Sequence, residues 1–237
     1  VLITPERVDH LVAALETYGQ AGVAPRGLIF CSRKEEAKRI ADELNRRTLR
    51  GQTLHTVALT GDDSIEFREE CVARLEAGEL DYILTVDIFN EGVDIPSINQ
   101  VVMLRQTQSA IVFVQQLGRG LRLADRKEYL VVIDFIGNYT NNFLIPIALF
   151  GDETLNRESL RKRLNETVEG GSLPGLSSVS FDEISRERIL QSITNTKLDS
   201  MANLKTPLLG MQARVGGVPK LADFYRFESV DPVLLAT

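Results

Sequence analysis

At 237 residues the chain is longer than most single domains, so one main core with a smaller appendage is expected. Its 43% hydrophobic and 25% charged residues describe a soluble globular protein, while two cysteines and two histidines exclude a disulfide framework or metal site and point to a reducing, cytoplasmic setting. The net charge of −6 excludes indiscriminate coating of nucleic acid but is compatible with a local basic face.

The chain opens with "TPERVDHLVAALETYG", a predicted helix with Thr4 as cap, Pro5 at its first position and Val8, Leu11, Val12 and Leu15 as an apolar stripe. "GLIFC" (Gly27 to Cys31) reads as a buried strand, which makes Cys31 a core residue rather than a nucleophile. "SRKEEAKRIADELNRR" predicts a helix with Ser32 and Glu35 as a capping box and Ala37, Ile40, Ala41 and Leu44 on one face. "LHTVAL" is strand-like; "DSIEFREECVARLEAG" predicts a helix with Asp63 and Glu66 as a second box and Gly78 as its stop. "DYILTV" is a strand, "DIFNEGVDIPSIN" a loop, "QVVML" a strand, "SAIVFVQQLG" a helix capped by Ser109, and "EYLVVIDF" a further strand. Strands alternating with helices imply an α/β fold, a parallel sheet with helices on both faces. After about Gly151 strand alternation ceases beyond "SSVSF", and charged, leucine-spaced segments predict a smaller, mostly helical region. "FLIPIALF" is too short to span a membrane, and no signal peptide is visible. Without an initiator Met the sequence is expected to be a processed chain or, in preference, a piece of a longer protein.

In open parallel sheets ligands gather at the carboxyl ends of the strands. Ser32-Arg33-Lys34 follows one strand here, Thr60-Gly61 another, and the loop Asp87 to Asp94 a third. Side-chain and backbone donors at three such ends would form a track for a phosphate backbone; each alone could equally be an ordinary cap or turn. The stretch "VQQLGRGLRLADR" sets Arg119 and Arg122 one turn apart, with Gly118 and Gly120 around Arg119. A helix-terminal glycine accounts for one of these glycines, and a basic helix end is one reading of the arginines. The other is a pair of guanidiniums aimed at a terminal phosphate, with Gln115 on the same face.

These segments carry a resemblance. "QQLGRGLR" resembles motif VI of superfamily 2 helicases, "TVDIFNEGVDIP" motif V and "GLIFCSRKEEA" motif IV, and "ALTGDDS" stands where that family has a Thr-Gly backbone contact; all occur in the family's order. The resemblance implies a linker helix at 1–24, the second RecA-like motor domain at 25–150 and a helical accessory region at 151–237. The tail phrases "LPGLSSVSFDEISRERILQSI" and "VGGVPKLADFYRFESVDP" resemble bacterial helicases related to restriction-enzyme motor subunits. By the same resemblance, Arg119 and Arg122 are arginine fingers and Gln115 organises their interface. Gly92 brings backbone near the nucleotide, Asp94 meets the ribose or orients motif VI, and Glu91 pairs with a motif VI arginine. Ser32, Arg33, Thr60, Gly61 and Thr85 hold the phosphates of one strand, DNA being favoured over RNA, without sequence specificity. The sequence has no G-x-x-x-x-G-K-[ST] loop and no Asp-Glu box after a strand. In this family both belong to the first motor domain, so ATP and Mg²⁺ are expected to be held mainly by an N-terminal RecA-like domain, and this stretch alone is expected to be inactive. The alternatives are a stand-alone nucleic-acid-binding or regulatory module, and an unrelated doubly wound nucleotide enzyme. The latter would need a glycine-rich loop where "CSRKEEA" stands.

Overall fold

The computed structural model describes residues 4–86, 95–105, 129–136, 140–150, 154–170, 180–227 and 229–236. They belong to two compact units, the first holding the described residues up to Phe135 and the second those from Ile136 onward. The loop expected at Asp87 to Asp94 and the helix expected from Ser109 lie outside the described residues.

The first unit is built on a five-stranded sheet, all its neighbours parallel, made of β1 (Gly27–Phe30), β4 (Thr56–Leu59), β5 (Tyr82–Thr85), β6 (Gln100–Met103) and β7 (Val131–Asp134) in the order β4-β5-β1-β6-β7. β1, β5 and β6 are buried at every position, as short uninterrupted apolar strands of a covered parallel sheet are. Helix α1 (Pro5–Tyr18) turns Val8, Leu11, Ala14 and Leu15 inward, and α2 (Lys34–Leu44) turns in Ala37, Ile40, Ala41 and Leu44. Together they enclose Ile29, Cys31, Tyr82, Leu84, Val102 and Ile133 in one core, so the segment read as a linker contributes to this unit's interior. Alternation along the strands sends Phe30, Thr85, Met103 and Asp134 to the other face. There α3 (Ile65–Ala77), with Cys71 and Leu75 buried, packs against β5.

At the amino ends of the strands Gly27, Tyr82 and Gln100 stand side by side. A Cβ on Gly27 would come within 2.5 Å of the Tyr82 ring, so glycine is the residue that lets the ring lie across β1. The buried Tyr82 hydroxyl donates to Gln100 Oε1 at 2.6 Å. A cavity of about 230 Å³ opens at this end, lined in part by Leu15, Ala24, Leu49, Arg50 and Asp81.

Local details depart from the sequence reading. Helix α2 begins at Lys34 with Arg33 as N-cap, and Glu36 rather than Glu35 reaches back, its Oε2 accepting from the Ser32 N–H at 3.0 Å. Ser64 caps α3 by accepting from the Phe67 N–H, which frees Asp63 to turn backwards onto Thr60. Thr4 precedes α1 without a side-chain capping bond. Gly78 ends α3 at φ 80, the left-handed conformation a glycine stop supplies. A two-residue hairpin, β2 (Thr48–Leu49) with β3 (Gln52–Thr53), was not anticipated; Arg50 at φ 52 and Gly51 at φ 81 make its turn.

In the second unit a 3₁₀ turn (Thr140–Phe143) leads into α4 (Leu144–Phe150), followed by α5 (Arg157–Gly170), α6 (Glu183–Asn195), α7 (Met201–Val215), α8 (Leu221–Arg226) and α9 (Pro232–Leu235). Phe143, Leu160, Leu164, Ile189, Ile193, Met211 and Phe224 share its core. Asp182 caps α6 by accepting from the Ser185 N–H, and buried Ser192 Oγ accepts from the Phe143 N–H at 3.1 Å. The basic run on α5 is engaged with its own scaffold: Arg157 donates to the Thr196 carbonyl, Arg161 to Thr194 Oγ1, and Lys162 stands 3.8 Å from Glu166. Among the described residues no helix is long and apolar enough to cross a membrane.

Candidate nucleic-acid interface

The carboxyl edge of the sheet brings together the residues that follow β4 and β1, with the end of β5 between them. Ser32 and Arg33 follow β1 and are exposed. Their loop is fixed through Glu36, which is only 7% exposed. One carboxylate oxygen holds the Ser32 N–H and the other stands 3.0 Å from Arg7 Nη1, so the loop, α1 and α2 meet on one side chain.

After β4, Thr60 is buried, and both its N–H and its hydroxyl donate to Asp63 Oδ2, at 2.6 and 3.1 Å. Gly61 is exposed, and a Cβ placed on it would meet nothing within 4 Å. The carbonyls of Thr60 and Gly61 both accept from Arg68 Nη2, at 3.3 and 2.9 Å. The Thr-Gly turn is thus held by an acid on its donor side and a guanidinium on its acceptor side, leaving Gly61 uppermost. Thr85, ending β5, is fully buried, and its hydroxyl has no hydrogen-bond partner among the described residues. Of the five residues expected to touch a strand, then, Ser32, Arg33 and Gly61 reach the surface, while the side chains of Thr60 and Thr85 lie beneath it.

The two outer loops are joined across the end of β5. Lys34 Nζ lies 2.6 and 2.7 Å from the two carboxylate oxygens of Asp62, and this ammonium holds the Asp62 carboxyl below the usual carboxylate range. On the edge strand β7, Asp134 Oδ2 is buried with no hydrogen-bond partner among the described residues, and burial pushes the carboxyl up to about 7. Burial raises the Cys31 thiol well above its ordinary value, consistent with a core side chain rather than a nucleophile. Gln115, Arg119, Arg122, Glu91, Gly92 and Asp94 lie outside the described residues.

Sequence reasoning passed over Glu36, Asp62 and Arg68, and read Asp63 as a helix cap rather than the partner of Thr60. Two of them carried a legible signal. Glu36 sits on the inward face of α2 beside Ala37, where a carboxylate needs a partner, and Asp63 stands three residues after Thr60, a spacing at which a carboxylate closes a turn.

Comparison with known proteins converges on the same class. Residues 6–124 match the family described as the helicase conserved C-terminal domain, and the chain belongs to it. It is a superfamily 2 helicase C-terminal, RecA-like domain. Over 84 residues, 35% of this chain and 12% of the relative, it is 34% identical to the putative ATP-dependent helicase IRC3 of Saccharomyces cerevisiae. It is 27% identical to the UvrABC system protein B of Prochlorococcus marinus, over 93% of this chain and 32% of that protein. The chain therefore spans about a third or less of the length of these curated relatives. The solved structure of the yeast DEAD-box splicing factor Prp28 shares the fold, with a TM-score of 0.56 at 16% identity, over 79% of this chain and 35% of that one.

Proposed function

We propose that this domain is the second half of an ATP-driven nucleic-acid motor acting in the cytoplasm. It grips one strand by its backbone and completes an ATP site whose phosphate loop and Mg²⁺ belong to an N-terminal RecA-like domain of the same parent protein. The observation that carries this reading is the carboxyl edge itself. In a domain of this helicase family, Ser32-Arg33 and Gly61 are exposed on two loops whose backbones are held by Glu36, Asp63 and Arg68, and both loops flank β5.

Such an edge meets phosphates rather than bases, so it gives affinity without sequence preference. Thr60 and Thr85 act from beneath, Thr60 by shaping the turn that presents Gly61. DNA is the preferred strand in this reading. Arg119 and Arg122 reach from this domain across the cleft to the γ-phosphate held by the N-terminal domain, with Gln115 ordering that contact and Glu91, Gly92 and Asp94 lining the nucleotide. When bound, ATP with Mg²⁺ supplies the charge that the two guanidiniums pair with. Attack by water would release the γ-phosphoryl group as inorganic phosphate, whose departure would remove the partner of the two guanidiniums, and the grip on the strand would convert domain separation into a step along it. The test is nucleic-acid-stimulated ATPase of the parent protein carrying Arg119→Ala or Arg122→Ala. Collapse of turnover is expected, and near wild-type turnover defeats the assignment.

A further inference from the structure

The ion pair between Lys34 and Asp62 has no evident role in holding the fold. Both groups are substantially exposed, at 46% and 71% of their side chains, and an exposed pair of this kind contributes little to stability. Lys34 is also the first residue of α2, where the helix dipole disfavours a cation and favours Glu35 and Glu36. A lysine here makes sense for binding an anion, and the anion it holds in this structure is a carboxylate of its own chain.

The surroundings fit a phosphate equally well. Arg33 and Lys38 are exposed on either side of Lys34, and Lys38 adds to the positive field at Asp62. Gly61, next to Asp62, leaves open space above the turn. The pair also bridges the loops after β1 and β4, the two that carry the exposed track residues.

We propose that Lys34 is a further phosphate ligand of the strand track and that Asp62 is its built-in competitor, a carboxylate that occupies the phosphate position until a strand displaces it. This rests on the backbone-gripping function proposed above. Strand binding exchanges one charge-assisted contact of Lys34 for another, so Asp62 lowers affinity for any strand too weakly held to evict it. The shared chemistry is the phosphodiester, whichever sugar carries it.

The experiment is fluorescence anisotropy of labelled oligo(dT) and oligo(rU) with this chain across a salt series, using wild type, Lys34→Gln, Asp62→Asn and the double variant, each checked by thermal unfolding. Lys34→Gln is expected to weaken binding at low salt about three- to ten-fold and to reduce the slope of log K against log salt by about 0.7. Asp62→Asn is expected to tighten binding by a similar factor, and that gain is expected to shrink towards none in the Lys34→Gln background. If the pair is only a strut between loops, both single variants weaken binding alike, and the proposal is overturned. It is likewise overturned if Lys34→Gln leaves affinity and slope unchanged while wild type binds. Absence of binding by wild type overturns both this proposal and the strand-gripping function beneath it.

Discussion

Glu36 offers the sharpest structural prediction, because one buried carboxylate holds the Ser32–Arg33 loop and anchors α1 at once. Glu36→Ala removes an acceptor from the Ser32 N–H and leaves Arg7 facing an apolar methyl. A hydrogen bond to a charged group contributes about 1.5–3 kcal/mol. The ion pair adds less, since Arg7 keeps 31% of its side chain in water, and screening there brings the contribution to about 1 kcal/mol or below. The expected loss is about 2–3 kcal/mol, which for a chain of this length lowers Tm by about 4–12 °C. Glu36→Gln keeps an acceptor for Ser32 but loses the charge, so its cost is expected to be about 1 kcal/mol. Scanning calorimetry of the two variants beside wild type is the assay, with anisotropy of bound oligonucleotide as a second reading of the loop. A shift below about 1 °C for Glu36→Ala, or equal damage from the two substitutions, would refute the argument that the carboxylate holds this loop.

Two other substitutions test the frame around the site. Gly27→Ala drives a methyl to within 2.5 Å of the Tyr82 ring and is expected to cost about 1–3 kcal/mol by overpacking, read as a lower urea midpoint; an unchanged midpoint contradicts the account of the glycine. Asp134 titrates near 7 in the fold, above the unfolded value of about 3.9. The folded state therefore binds its proton more tightly, and this group lowers stability as pH rises from about 4 to about 7, by at most about 1.4 kcal/mol per pH unit. Asp134→Asn is expected to flatten that decline in urea titrations between these limits, and an unaltered pH profile contradicts the burial argument.

Much of the sheet could be read from the sequence because its signals are local. "GLIFC", "DYILTV" and "QVVML" are short apolar runs between helical periodicities, and each becomes a buried parallel strand. Cap identities were harder, because Glu36 is held between the Ser32 N–H and Arg7, and Asp63 by Thr60, partners that are distant in sequence or lie on the side away from the helix. The β2–β3 hairpin was missed because its turn uses Arg50 in a left-handed conformation, which side chains other than glycine, asparagine and aspartate seldom adopt. At the site, position after a strand and the family resemblance pointed to Ser32, Arg33, Thr60, Gly61 and Thr85 alike, and nothing along the chain distinguishes the exposed Ser32 from the buried Thr60 and Thr85. That difference follows from the sheet, in which Thr85 ends a central strand and Ser32 begins a loop. The joining of Lys34 to Asp62 is equally invisible along the chain, since it depends on β1 and β4 flanking β5.

The central claim concerns the guanidiniums of the arginine segment, and single-turnover hydrolysis of prebound ATP by the parent protein with Arg119→Ala reaches it most directly. The account predicts that ATP and nucleic acid still bind while the hydrolysis step slows by about 10³-fold or more, the contribution of an arginine finger. A hydrolysis step within about threefold of wild type, well short of that contribution, would contradict it.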